Sequence, residues 1–263
     1  MNLDLAFSSC PNDTFIFHAL LHGYVDTAPY TFTSCIEDVE TLNMAAFKGT
    51  HAISKLSFAA YLSLKDRYTL LDSGAALGFG CGPILVAAES LKSVEEARIA
   101  VPGRYTTAFL LLRLWNGALK HIEFVRFDEI LPGIASGRFD AGLIIHEGRF
   151  VYPQYGCVPI IDLGEWWESR TGLPIPLGCI AIRNDRLEHK ESVEKLIRAS
   201  VTHAFQVPTD SESFIKEHAQ ELDDAVIREH IALYVNDFTL SLGEKGREAI
   251  RILEEQSLSG RSL

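Results

Sequence analysis

From Leu3 to about Arg183 the chain alternates short apolar runs of strand length with segments of helix length, and beyond Asn184 only amphipathic helices can be written. Such alternation specifies an α/β architecture, because strands linked by helical connections bury their faces only by pairing in a helix-covered sheet. Leu3–Phe7 reads as a strand stopped by SSCPND, with Asn12 or Asp13 placed to cap a helix over Thr14–His22 before Gly23. The unit repeats as strand Tyr30–Cys35, helix Asp38–Lys48 closed by Gly49, strand His51–Ser54 and helix Ser57–Leu64. Strands Tyr68–Leu71 and Pro83–Ala88 flank the glycine cluster GAALGFGCG.

A second series then begins. Strands Arg98–Val101, Ile122–Phe127, Asp140–Ile145 and Val158–Leu163 are interleaved with helices Thr107–Asn116 and Glu129–Ser136. The stretch EWWESRTGLPIPLG reads as an irregular connection, strand Cys179–Arg183 follows, and helices are expected over Ser192–Gln206, Asp210–Glu221, Asp223–Val235 and Gly243–Gln256. A central α/β series between an α/β beginning and a helical end predicts two lobes: residues 1–86 with 177–263, and residues 87–176. Ligands of open α/β sheets sit beyond the carboxyl ends of strands, so SSCPND, SKLS, PGRYTT and HEGR are the loops in which to seek chemistry.

Composition narrows the function. Asp and Glu total 35 against 24 Lys and Arg, a net charge of -11 that repels phosphate polymers and argues against nucleic-acid binding. With 47% apolar residues the chain can build a sizeable core, yet no apolar run approaches the roughly 18 residues of a membrane helix. The five cysteines, Cys10, Cys35, Cys81, Cys157 and Cys179, are odd in number and never spaced as CxxC, which fits reduced thiols. MNLDLAFSSC lacks a basic region and a signal-length apolar stretch, so a cytoplasmic location is expected.

VPGRYTTA places two threonines at the head of an apolar helix, where free backbone N–H groups and the helix dipole suit a carboxylate or phosphate; one threonine could equally serve as the cap alone. Ser57 carries the same ambiguity beside Lys55. His146 follows the apolar FDAGLII and precedes Glu147 and Arg149, a position suited to a general base or to a structural hydrogen bond. GFGCG is not a nucleotide-binding glycine loop and reads as a tight turn near a crossing between lobes. His18 and His22 have metal-ligand spacing without a third ligand, and Trp166 and Trp167 fit an interlobe core or an aromatic ligand.

Taken in order, SSCPNDTFIFHAL, SKLSF, GCGPILV, VPGRYTTA, FDAGLIIHEGRFVY and LGEWWESRTGLPIPLG resemble the 1,4-dihydroxy-6-naphthoate synthase family over roughly residues 1–185. Ser9 departs from it, standing where the family favours Pro before the Cys. The resemblance implies a two-lobed periplasmic-binding-protein-like (type II) α/β fold with a helical C-terminal segment. It also implies a carbon–carbon lyase of menaquinone biosynthesis, acting on a small-molecule carboxylate, cyclic dehypoxanthinyl futalosine, to give 1,4-dihydroxy-6-naphthoate and dihydroxyacetone without a metal or redox cofactor. The family's base falls on His146, and its substrate-binding segments fall on Lys55, Leu56 and Ser57 and on Thr107 and Ala108. The alternatives are the related chorismate dehydratase of the same pathway and a non-catalytic solute-binding protein.

Overall fold

The computed structural model describes residues 1–88, 91, 93–219 and 223–260. Its strands are β1 (Asn2–Phe7), β2 (Thr31–Ile36), β3 (Ile53–Ser57), β4 (Tyr68–Leu70), β5 (Ala76–Gly78), β6 (Ile84–Ala88), β7 (Arg98–Val101), β8 (His121–Phe124), β9 (Ala141–Ile144), β10 (Cys157–Asp162) and β11 (Ile175–Arg183). They form two sheets. One is ordered β2-β1-β3-β11-β4 with β5 also paired to β11, and the other β10-β6-β9-β7-β8. β1 runs parallel to β2 and β3, and β7 parallel to β8 and β9, as helical crossovers require; β11 and β6 insert antiparallel.

The chain leaves the first sheet after Gly78, enters the second at Ile84, leaves it at Asp162 and returns at Ile175. The two crossing segments lie against each other: Leu163 donates its N–H to the Pro83 carbonyl, and a Cβ on Gly82 would stand 2.3 Å from the Gly164 backbone. No side chain fits between two backbones that close, which accounts for glycine at that point of the GFGCG cluster. The cluster also holds β5, a strand its glycine content conceals.

Four other expectations are corrected. The first helix spans Pro11–Leu21 with Cys10, not Asn12 or Asp13, in the cap position, because Pro11 is preset for the first helical position and the N–H it lacks would have had no partner there. SKLS is not a loop: Lys55, Leu56 and Ser57 end β3, and the next helix begins at Phe58. Leu163–Thr171 is a helix, capped by Asp162 and stopped by Gly172 in the left-handed conformation, and β11 then starts at Ile175. The second half of HEGR is not loop either: Gly148–Val151 form one helical turn.

The helical tail closes the first sheet. Lys190–Gln206 packs Val193, Ile197 and Val201 with Phe7, Ile16 and Phe17 of β1 and helix Pro11–Leu21. The predicted Asp210–Glu221 helix is observed as Glu212–His218, with the end of that prediction at residues 220 and 221 outside the described residues. Trp167 is fully buried and gives its indole N–H to the Pro174 carbonyl, so it belongs to the core, while the partly buried Trp166 stacks beneath Arg170. His18 and His22 stack on each other at 4.3 Å, and among the described residues no three His, Cys, Asp or Glu side chains are grouped to hold a metal. No described helix is long and apolar enough to cross a membrane.

Candidate active site

A cleft between the two sheets is lined by Lys55, Ser57, Thr107, Ala108 and His146. These are five of the six residues anticipated from sequence. Leu56 is the exception: strand alternation sends its side chain to the opposite face of β3, fully buried in the core with Phe58 and Ile175. Only its backbone could serve a ligand.

Lys55 and Asp13 form a buried ion pair, Nζ to Oδ1 at 2.6 Å, with the carboxylate wholly inaccessible and the ammonium nearly so. Such a pair survives only if its remaining lone pairs are satisfied. Here they are: Asn12 Nδ2 donates to Oδ1 at 2.8 Å, while the Ser8 hydroxyl and backbone N–H donate to Oδ2 at 2.6 and 3.1 Å. SSCPND is thus a carboxylate cradle. Among the described residues Lys55 Nζ makes this one hydrogen bond, which leaves two N–H groups on the cleft side for an anionic ligand.

Ser57 receives Asn43 Nδ2 on its hydroxyl oxygen at 3.1 Å and gives its backbone N–H to Asn43 Oδ1 at 2.9 Å. Its hydroxyl proton remains for a ligand. Asn43 also touches Glu40, whose carboxylate reaches across the cleft to accept the N–H groups of Arg104 and Tyr105 at 2.7 and 3.1 Å. A Cβ on Gly103 would stand 2.5 Å from the Glu40 carboxyl carbon, so glycine is what lets this clasp form.

The threonine ambiguity resolves. Thr106 is the cap, its hydroxyl oxygen accepting the Phe109 N–H, and Thr107 and Ala108 are the first two helical residues. The Thr107 hydroxyl donates to the Leu177 carbonyl at 2.7 Å and accepts the Ala59 N–H at 3.2 Å, so it ties the second sheet's helix to the first sheet. What this helix start presents to a ligand is therefore the backbone N–H of Thr107 and Ala108, the unpaired donors of a first turn.

His146 lies two residues beyond β9, the strand between β6 and β7. With φ of 56° it is, among the described residues, the only non-glycine in the left-handed region. Such a backbone is held in place by its surroundings, and it turns the ring into the cleft. Nδ1 lies 3.4 Å from Cys10 Sγ, Phe127 packs edge-on against the ring at 5.1 Å, and Nε2 is buried without a hydrogen-bond partner. Burial, opposed in part by Asp13 and Asp38 and aided by Lys55, lowers its pKa to about 4. Arg149, three residues on from His146, binds Asp162 and the Gly82 carbonyl and pins the helical turn to the crossing.

Comparison with known proteins decides the family. The profile of a family described as menaquinone biosynthesis matches residues 3–257. A curated relative from Thermus thermophilus, named 1,4-dihydroxy-6-naphthoate synthase, is 49% identical over 98% of this chain and 95% of its own length. The chain belongs to the 1,4-dihydroxy-6-naphthoate synthase family. A crystal structure of an Archaeoglobus fulgidus protein superposes with TM-score 0.94 at 36% identity, covering 100% of this chain and 98% of its own. The alkanesulfonate-binding protein of Xanthomonas axonopodis pv. citri superposes at TM-score 0.73 over 99% and 93% of the two chains; at 14% identity it shows the periplasmic-binding-protein-like fold alone.

Several groups of this naphthoate-synthase-family site escaped the sequence reading. Asp13 reads from the sequence as a possible helix cap, although its neighbours in SSCPND mark the loop, and Cys10 reads only as one of five reduced thiols. Burial pushes the Cys10 pKa well up, so its sulfur meets His146 as a neutral thiol. His230 and Tyr234, from the tail helix Asp224–Tyr234, reach the site although the sequence of that tail shows only amphipathic helices: His230 gives Nε2–H to Asn12, and Tyr234 lines the cleft. A lone His in an amphipathic helix carries no sequence signal for this.

Proposed function

We propose that the protein is the lyase that splits cyclic dehypoxanthinyl futalosine into 1,4-dihydroxy-6-naphthoate and dihydroxyacetone. The reading is carried by one observation: a neutral imidazole whose Nε2 is buried without a partner, set on a left-handed backbone in a cleft opposite an ammonium and a helix start. An orphaned basic nitrogen costs stability unless a ligand uses it. His146 Nε2 takes a proton from the bound substrate, one carbon–carbon bond breaks, and the electron pair is drawn into the ring system that becomes aromatic. Lys55, the Ser57 hydroxyl and the N–H groups of Thr107 and Ala108 hold the substrate's carboxylate and oxygens. The free cysteines suit a reducing, cytoplasmic setting.

The two sheets define lobes that part to admit the substrate, one formed by both chain ends and the other by the central segment. The free space in the cleft is about 80 Å³, well below the roughly 300–1,000 Å³ of sites that enclose a small molecule. Glu40 and Thr107 are the clasps that must open. X-ray scattering of a Glu40→Gln, Thr107→Val protein should show a larger radius of gyration than the parent without ligand; identical profiles would argue against parting lobes.

Ser57→Ala should weaken substrate binding by roughly 0.5–3 kcal/mol, the net range for one hydrogen bond to a neutral or charged acceptor. Calorimetric titration under non-turnover conditions reads it, and an unchanged dissociation constant contradicts the assignment. For the reaction itself, the purified protein is incubated with cyclic dehypoxanthinyl futalosine and, separately, with chorismate. Naphthoate from the first alone supports the proposal. Consumption of chorismate identifies the dehydratase, and saturable binding without product identifies a binding protein, the reading favoured by the shared fold.

A further inference from the structure

His146 Nε2 and His230 Nδ1 are both buried without a hydrogen-bond partner, and their rings lie nearly parallel, 20° apart in plane with centroids at 6.3 Å. The tautomer of His230 follows from its neighbours. Asn12 spends its amide N–H on Asp13 Oδ1, so it turns its oxygen to His230 and accepts Nε2–H at 3.0 Å. Nδ1 of His230 therefore carries a lone pair. The matching tautomer of His146 gives Nδ1–H to the Cys10 sulfur, 3.4 Å away, and leaves a lone pair on the partnerless Nε2; it is the tautomer on which the proposal rests. Two lone pairs cannot satisfy each other, but a single proton makes one ring a donor and the other its acceptor.

We propose that His230 is the proton-sharing partner of His146: the N–H formed at His146 Nε2 during the reaction is accepted by His230 Nδ1. This rests on the reading of His146 as the base. The substrate's bond to hydrogen breaks, the N–H bond forms at His146, and the same proton returns to the departing fragments, so nothing is consumed. His230 is a positioning residue that acts through His146.

The titratable groups around the two rings are Cys10, Asp13, Asp38 and Lys55 on the first sheet's side, Glu147 next to His146 in the chain, and Tyr234 against His230 at 4.6 Å. Burial, the neighbouring imidazole and Lys55 all oppose a charge on His230, so it stays neutral and available as an acceptor.

Protein labelled with ¹⁵N at histidine reads both tautomers by NMR at neutral pH without ligand. The expected pattern is His146 protonated at Nδ1 alone and His230 at Nε2 alone; a protonated Nε2 on His146 or Nδ1 on His230 overturns the proposal. His230→Gln keeps an N–H donor for Asn12 but no basic nitrogen, and should lower kcat by about 10- to 100-fold with KM little changed. In the same variant His146 should titrate at lower pH than in the parent. Parental kcat, or a His146 titration that is unmoved or raised, overturns it too. His230→Asn, which can place an amide oxygen where Nδ1 stood, should retain more turnover than His230→Gln, and the reverse order contradicts the proposal. If the unaltered protein makes no naphthoate, the function proposal fails while the tautomers and the titration still judge the pairing.

Discussion

Lys55→Met is expected to destabilise the folded protein by about 3–5 kcal/mol, the usual consequence of removing one partner from a buried ion pair. The cause is Asp13, whose carboxyl has no solvent access and would be left with only the donors of Ser8 and Asn12 around it. Urea unfolding reads the difference directly. Adding Asp13→Asn should recover much of the loss, because no unpaired carboxylate is left behind, and the non-additivity of the two changes isolates their coupling. A Lys55→Met protein within about 1 kcal/mol of the parent would mean that the pair does not hold this corner of the site together.

The second large effect is on turnover. General-base catalysis contributes roughly 100- to 10,000-fold, so His146→Asn should lose about that much kcat while folding normally and still binding substrate. The pH dependence has a definite sign. With its pKa lowered to about 4, His146 is unprotonated throughout the neutral range, and kcat/KM should fall only as pH drops towards that value. Stability follows the same direction. Between the ordinary imidazole value of roughly 6.5 and about 4 the unfolded chain binds the proton and the folded chain does not. Stability is therefore complete above the upper value and is lost as pH falls through that window, by on the order of 3 kcal/mol for His146. His230, whose pKa burial also depresses, adds a loss of the same sign. Acid unfolding that is less steep in a His146→Gln, His230→Gln protein would confirm the source, and an unchanged slope would contradict it.

How far the sequence reveals this protein depends on whether a feature is local. Strand Arg98–Val101 is predicted at its observed bounds, and the helix from Thr107 to within a residue of its observed end, because periodicity and a capping threonine lie within a few residues of each other. His146 is legible as the residue where a buried strand emerges. Lys55 and Ser57 are found as candidates but given the wrong local structure. SKLS looks like a loop by composition, yet its alternation buries both faces of a central strand, and tertiary pairing with β11 decides the matter. Leu163–Thr171 is hidden for a related reason, since its polar, Trp-rich sequence has little helical periodicity and is fixed by the Asp162 cap and the burial of Trp167. The Asn12–His230 contact spans 218 residues and leaves no trace in either segment.

The most direct test compares the unaltered protein and His146→Asn in single-turnover incubations with cyclic dehypoxanthinyl futalosine, following 1,4-dihydroxy-6-naphthoate and dihydroxyacetone together. The unaltered protein should release both in equal amounts, and the folded, substrate-bound variant should do so roughly 100- to 10,000-fold more slowly. A folded His146→Asn protein that forms naphthoate at near the parental rate would contradict the account.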